Sequence, residues 1–204
     1  MEDWSGDLGQ FDCQVRKLTN QQFSSISNTH TPQGIIAVVK LPADTYSSDL
    51  PPEPGSRILL LENIQDPGNT GTLLRTAAAL GFSGALLSTQ TADPFSPKAV
   101  QATAGSVLSL WIRRNAGYLQ MAASLKKMGY EIMAADVGGS SHVEFSCNSK
   151  LVIALGSEGC GLTQEMVQIA GCRFRIPITD KVESLNVAVS GAIAMFCAQR
   201  GIGW

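Results

Sequence analysis

Five side chains in three short stretches carry groups that could do chemistry. Asn69 closes the string Asn63-Ile-Gln-Asp-Pro-Gly-Asn69, and Arg75 follows it. Glu158 stands among the glycines of Leu155-Gly-Ser-Glu-Gly-Cys-Gly-Leu162. Ser184 and Asn186 precede the uncharged run Val187 to Ala198. A guanidinium early in a helix can reach a phosphate or a hydroxyl at a strand end. Glycines let a backbone approach a ligand closely, but Glu158 among them would repel a pyrophosphate. The spacing is G-x-x-G-x-G rather than the G-x-G-x-x-G of dinucleotide folds, and no lysine follows as in a P-loop. A dehydrogenase-like reading is therefore disfavoured. No Cys–His or Ser–His pairing is visible, which disfavours nucleophilic hydrolysis. Ser184 and Asn186 could equally cap free backbone N–H groups.

The elements that must position these groups alternate along the chain. Strands are expected at Ile58–Leu61, Ala85–Leu87, Trp111–Ile112, Glu131–Ala135, Leu151–Leu155 and Arg173–Ile178. Helices are expected at Thr70–Leu80, Pro97–Leu108, Tyr118–Met128, Thr163–Ala170 and Val187–Ala198. Asp66-Pro67-Gly68-Asn69 has the composition of a type II turn. Strands separated by helices predict an α/β domain with a parallel sheet and helices on both faces. Ligands in such sheets sit at the carboxyl ends of strands. On the first helix Leu73, Ala77 and Leu80 point inward, and Arg75, about 200° round from Leu73, leaves that face. The last helix is apolar on nearly every side, with Val189, Ala192, Ile193 and Phe196 on one stripe. Such a helix is buried on several sides, one against the sheet and another against a partner chain.

Before this domain the pattern is thinner. Residues 1–17 show no periodicity, Leu18 to Ile26 fits a short helix, and Gly34 to Val39 reads as a buried strand. Residues 43–56, rich in Pro, Ser and Asp, read as a linker. The chain carries 44% hydrophobic and 16% charged residues, which is a globular composition. No apolar run reaches the roughly 18 residues of a membrane span, and no secretory signal is visible. Five scattered cysteines without a C-x-x-C pair suit free thiols in a reducing, cytoplasmic setting. His30 and His142 stand apart from other ligands, so no metal is expected. The net charge of −2 argues against holding nucleic acid by bulk electrostatics. The short clusters Arg113-Arg114, Lys126-Lys127 and Arg173 with Arg175 read as solvated edges.

Three strings in order, NIQDPGNTGTLLRTAAALG (63–81), LGSEGCGL (155–162) and IPITDKVESLNVAVSGAI (176–193), resemble the SpoU (TrmH-like) ribose methyltransferases of the SPOUT superfamily. The resemblance spans about Arg57 to Gln199. It implies a C-terminal trefoil knot, a rare exception to ordinary chain topology, and S-adenosylmethionine cradled by the backbone at Gly156, Ile176 and Leu185. It also implies a homodimer through the last helix. Asn69, Arg75, Glu158, Ser184 and Asn186 would be catalytic positions for methyl transfer to a ribose 2′-hydroxyl. Arg75 would favour the developing alkoxide, Ser184 and Asn186 would orient ribose or Arg75, and Glu158 would fix the loops or hold Asn69. Residues 1–42 look like the remnant of an N-terminal RNA-binding domain, leaving 57–204 as the methyltransferase domain. The RNA is expected to be ribosomal, with transfer RNA as the alternative; the other reading is a non-catalytic RNA-binding relative. Two departures stand out: Asp180 where relatives often have Gly, and Gln101 where a basic residue is common.

Overall fold

A computed structural model describes residues 13–27, 29, 31–145 and 150–204, so His30 and Cys147 lie outside the described residues. The chain divides into two units, residues 1–41 and 42–204. In the first, helix α1 (Asn20–Ile26) is opened by a capping box in which Thr19 and Gln22 satisfy each other's backbone N–H. Gly34 to Val39 does not form the expected strand, and Val38 is 98% exposed. A strand needs a ladder partner, and among the described residues this unit offers none.

The second unit holds a six-stranded, all-parallel sheet. Its strands are β1 (Arg57–Leu61), β2 (Gly84–Leu87), β3 (Trp111–Arg114), β4 (Glu131–Ser140), β5 (Leu151–Leu155) and β6 (Cys172–Phe174). The spatial order is β3-β2-β1-β5-β4-β6. Because β-strand side chains alternate, Leu59, Leu61, Ile153 and Leu155 join one core while Ile58, Leu60, Val152 and Ala154 join the other. Helices α2 (Pro67–Ala79) and α6 (Val187–Arg200) supply the first core. Helices α4 (Tyr118–Lys127) and α5 (Gln164–Ile169) supply the second. The short α3 (Pro97–Thr103) packs on α2, where a Cβ on Gly71 would lie 2.5 Å from the Ala99 carbonyl oxygen.

Several expectations shift for identifiable reasons. The string Asp66–Asn69 is the start of α2, not a turn: Asp66 caps the helix through Asn69 N–H at 2.9 Å, and Pro67 occupies the first turn. The helix expected over Pro97–Leu108 breaks at Ala104, which is left-handed, and resumes as a 3₁₀ turn over Ser106–Ser109. The last strand stops at Phe174, so Arg175 to Leu185 is irregular.

Residues 43–56 are not a free linker. The buried Thr45 accepts the Arg114 backbone N–H at 2.8 Å, and the Pro54 carbonyl accepts Trp111 Nε1 at 2.9 Å. Arg113, only 4% exposed, donates to the Asp49 carbonyl and pairs with Asp44. This strap covers β3, an edge strand that would otherwise be open. The arginine pair read as a solvated edge is thus structural.

Candidate active site

The sheet order reverses between β1 and β5, since β2 and β3 lie to one side of that pair and β4 and β6 to the other. Such a switch point leaves a crevice at the carboxyl ends of the strands. Three of the five expected side chains meet there. Asn69 Nδ2 donates to Glu158 Oε1 at 2.6 Å, and Asn186 Nδ2 donates to Asn69 Oδ1 at 3.2 Å. This chain joins the β1–α2 connection, the glycine loop after β5 and the start of α6. Asn186 also caps α6, its Oδ1 accepting Ala188 N–H at 2.9 Å and Val189 N–H at 3.4 Å. Glu158 holds Asn69, one of the two roles expected for it.

The other two are placed differently. Ser184 is exposed, two residues before Asn186, and its hydroxyl has no hydrogen-bond partner among the described residues. Arg75 is exposed on α2, six residues or about 9 Å of helix rise beyond Asn69. It makes no hydrogen bond or ion pair among the described residues. A guanidinium carries five donors, so all of them are available to a ligand.

The residues expected to cradle a cofactor fit that task by their backbones. Neither Gly156 nor Ile176 nor Leu185 has its N–H or C=O paired with another backbone group among the described residues. Between Ile176 and Leu185 a single weak backbone bond closes, from Val182 N–H to the Thr179 carbonyl at 3.5 Å. Unpaired peptide groups of this kind are donors and acceptors for a ligand. A Cβ on Gly156 would lie 2.1 Å from the Gly161 carbonyl carbon, so only glycine lets the loop close on itself there. Asp180, one of the departures, has negative φ, so a side chain is accommodated there without strain. Gln101 is exposed on α3.

One functional residue escaped the sequence reading. Glu62 follows the apolar run of β1 and is fully buried. Its carboxylate accepts Thr163 N–H at 2.6 Å, Thr163 Oγ1 at 2.9 Å and the Tyr118 hydroxyl. It thereby anchors the end of the glycine loop, where Thr163 caps α5. Burial, followed by the hydrogen bond to the Glu62 carboxylate, pushes the Tyr118 hydroxyl well above its ordinary pKa of 10.0. The available signal was a charged residue directly after four apolar ones at a strand's carboxyl end.

Fold and crevice together define a parallel α/β protein built to bind a ligand through loops at one sheet edge. Residues 56–196 match the SpoU rRNA Methylase family. The chain is 31% identical over 186 residues to the 23S rRNA (guanosine(2553)-2′-O)-methyltransferase of Bacillus subtilis, covering 90% of this chain and 71% of that one. It is similar to the crystal structure of an AdoMet-bound rRNA methyltransferase from Sinorhizobium meliloti, with 37% identity and a TM-score of 0.67 over 76% of this chain and 60% of that one. An RNA 2′-O ribose methyltransferase structure matches with 27% identity and a TM-score of 0.72 over 88% of this chain and 69% of that one. The chain belongs to the SpoU family. It is an RNA methyltransferase with S-adenosylmethionine as methyl donor.

Proposed function

We infer that the chain methylates a ribose 2′-hydroxyl in ribosomal RNA. The observation that carries this reading is the Glu158–Asn69–Asn186 chain, which brings the three loops to one crevice beside unpaired backbone at Gly156, Ile176 and Leu185. The named activity of the Bacillus subtilis relative supports both the 2′-oxygen and the ribosomal substrate. When bound, S-adenosylmethionine supplies a methyl group on a sulfonium, whose sulfur leaves as a neutral thioether. The chain's own task is to make a weakly acidic hydroxyl attack. Arg75 places positive charge where alkoxide character develops. As a guanidinium stays protonated, it polarises and orients the hydroxyl rather than taking its proton, which passes to solvent water as the O–CH3 bond forms. Asn69 is held from both ends of its amide and keeps its place as the hydroxyl ionises. Ser184 offers a free hydroxyl to the ribose.

The assembly is a homodimer through α6. On that helix Gly191, Ala194, Met195 and Ala198 are buried, whereas Val189 and Phe196 are 49% and 47% exposed. The path from β6 at the sheet edge back to α6 beside α2 and β5 suits a C-terminal trefoil knot. Residues 1–42 act as the tail of an RNA-reading module, and the protein works in the cytoplasm; no helix among the described residues is long and apolar enough to cross a membrane.

The test is incubation with labelled S-adenosylmethionine and total RNA, followed by mapping of the label. The expected product is a 2′-O-methyl ribose in ribosomal RNA. Label on a base, or none, overturns the reading. Arg75→Ala should lower the transfer rate about a hundredfold with cofactor affinity unchanged by calorimetry; a loss below tenfold removes Arg75 from its role.

A further inference from the structure

Beside the Asn69–Glu158 pair lies a cavity of about 330 Å³. It opens where β1, β2 and β5 end, and its walls include Asn63, Gln65, Gln90, Ser157, Glu158 and Cys160. Neither Gly156, Ile176 nor Leu185, assigned above to the cofactor, lines it. The volume is at the lower end for ligand pockets, which suits a single heteroaromatic ring system.

Hydrogen bonds fix the walls and leave part of the lining amide groups unengaged. Asn63 adopts a left-handed backbone, with φ of 59°. Its Oδ1 accepts the Ser88 hydroxyl at 2.9 Å, and its N–H donates to Ser88 Oγ at 2.9 Å. Its Nδ2 has no partner among the described residues. Arg114 clamps the stretch around Gln90, donating to the Thr89 carbonyl at 2.6 Å and, through Nε and Nη2, to the Thr91 carbonyl at 3.1 and 3.0 Å. Among the described residues Gln90 makes only a marginal 3.4 Å contact with Thr89, and the Gln65 amide makes none. The opposite wall is a turn closed on itself, with Gly161 N–H to the Ser157 carbonyl at 2.9 Å and Cys160 N–H to Ser157 Oγ at 3.3 Å.

The chemistry on offer is three carboxamides and a carboxylate, with no Lys, Arg or His among the described residues that line the cavity. That set rejects phosphate. It matches a neutral ring edge bearing alternating donors and acceptors, the way Asn and Gln read bases. The carboxylate shared with the catalytic chain places such a ring next to the reacting sugar. We propose that this cavity receives the base of the target nucleotide, turned out of its stack, and that Gln65 and Gln90 read its edge. Enzymes that modify a base take it out of its stack into a pocket and read it there; here the same device would serve to place the sugar. The inference rests on the RNA methyltransferase reading above.

The test uses a short transcript around the nucleotide that the wild-type protein methylates, made with each of the four bases, and with no base, at that position. The wild type should lose at least about tenfold in kcat/KM when the base is exchanged, the order expected for one lost bidentate contact. Gln65→Leu and Gln90→Leu, singly and together, should flatten that preference, mainly through KM, and leave S-adenosylmethionine affinity intact. Both glutamines are exposed, so folding should not suffer. Equal rates on all four bases, or an unchanged preference in the double variant, overturns the inference and leaves methyl transfer standing. Absence of any transfer by the wild type removes the enzyme reading and this one with it.

Discussion

The two segments that frame the crevice are held in opposite ways. The loop from Gly156 to Thr163 is tied across its middle and at its far end: Ser157 bridges Gly161, Glu158 accepts Asn69, and Thr163 is gripped by the buried Glu62. The segment from Arg175 to Leu185 has the Arg175 N–H on the Ser140 carbonyl at one end, Asn186 at the other, and little between. The first wall is preorganised, so a ligand meets it without an ordering cost. The second keeps its peptide groups open and must be ordered by what it binds. A cofactor held between them would draw rigidity from one side and adaptability from the other.

The comparison is broken most directly at Glu62. Glu62→Leu strands the Thr163 N–H and the Tyr118 hydroxyl, and should cost about 3 kcal/mol in urea unfolding. Tyr118→Phe, which leaves the Thr163 bonds in place, should cost distinctly less. Equal losses would locate the anchor at the tyrosine instead.

Next is Gly156→Ala. A Cβ 2.1 Å from the Gly161 carbonyl carbon forces the tied loop open. We expect roughly 2 kcal/mol of strain, read as a loss of S-adenosylmethionine affinity of more than tenfold in calorimetry. An unaffected affinity would mean that the loop is less rigid than its hydrogen bonds indicate.

Asn186→Ala probes the open wall. It removes the α6 cap, worth about 1 kcal/mol, and the link to Asn69. Trypsin cleavage at Lys181 should speed up in the variant and slow down in the wild type once S-adenosylmethionine is added. Cleavage indifferent to the cofactor contradicts ordering by ligand.

The smallest effect concerns the entry to α2, where Lys98 bonds Asp66 at 2.7 Å. That bond, followed by the Asn69 N–H, lowers the Asp66 pKa below its ordinary 3.8. A depressed carboxyl stabilises the fold above its unfolded pKa and loses that contribution as pH falls through the folded value. The pair is largely solvated, so Lys98→Ala should cost only a few tenths of a kcal/mol at neutral pH. The difference from wild type should fade in acid unfolding as the pH falls below 3.8 and through the depressed value at which folded Asp66 takes its proton.

Apolar runs made the sheet legible, since Leu151 to Leu155 is buried on both faces and its length suits a strand rather than a buried helix. Side-chain type made Asn69, Glu158 and Asn186 candidates, the resemblance of their three strings joined them, and loops leaving a parallel sheet share one edge. Strand partners and long-range contacts were not legible. Gly34 to Val39 has the composition of a strand but no ladder among the described residues, and Pro42 to Ser56 has that of a linker yet straps β3. The partnership of Glu62 with Thr163 spans 101 positions, and that of Asn69 with Asn186 spans 117. Local propensity sees only a residue's neighbours in the chain. Which carboxylate is buried, which amide is held and which is free were decided by packing that brings distant segments within hydrogen-bond length.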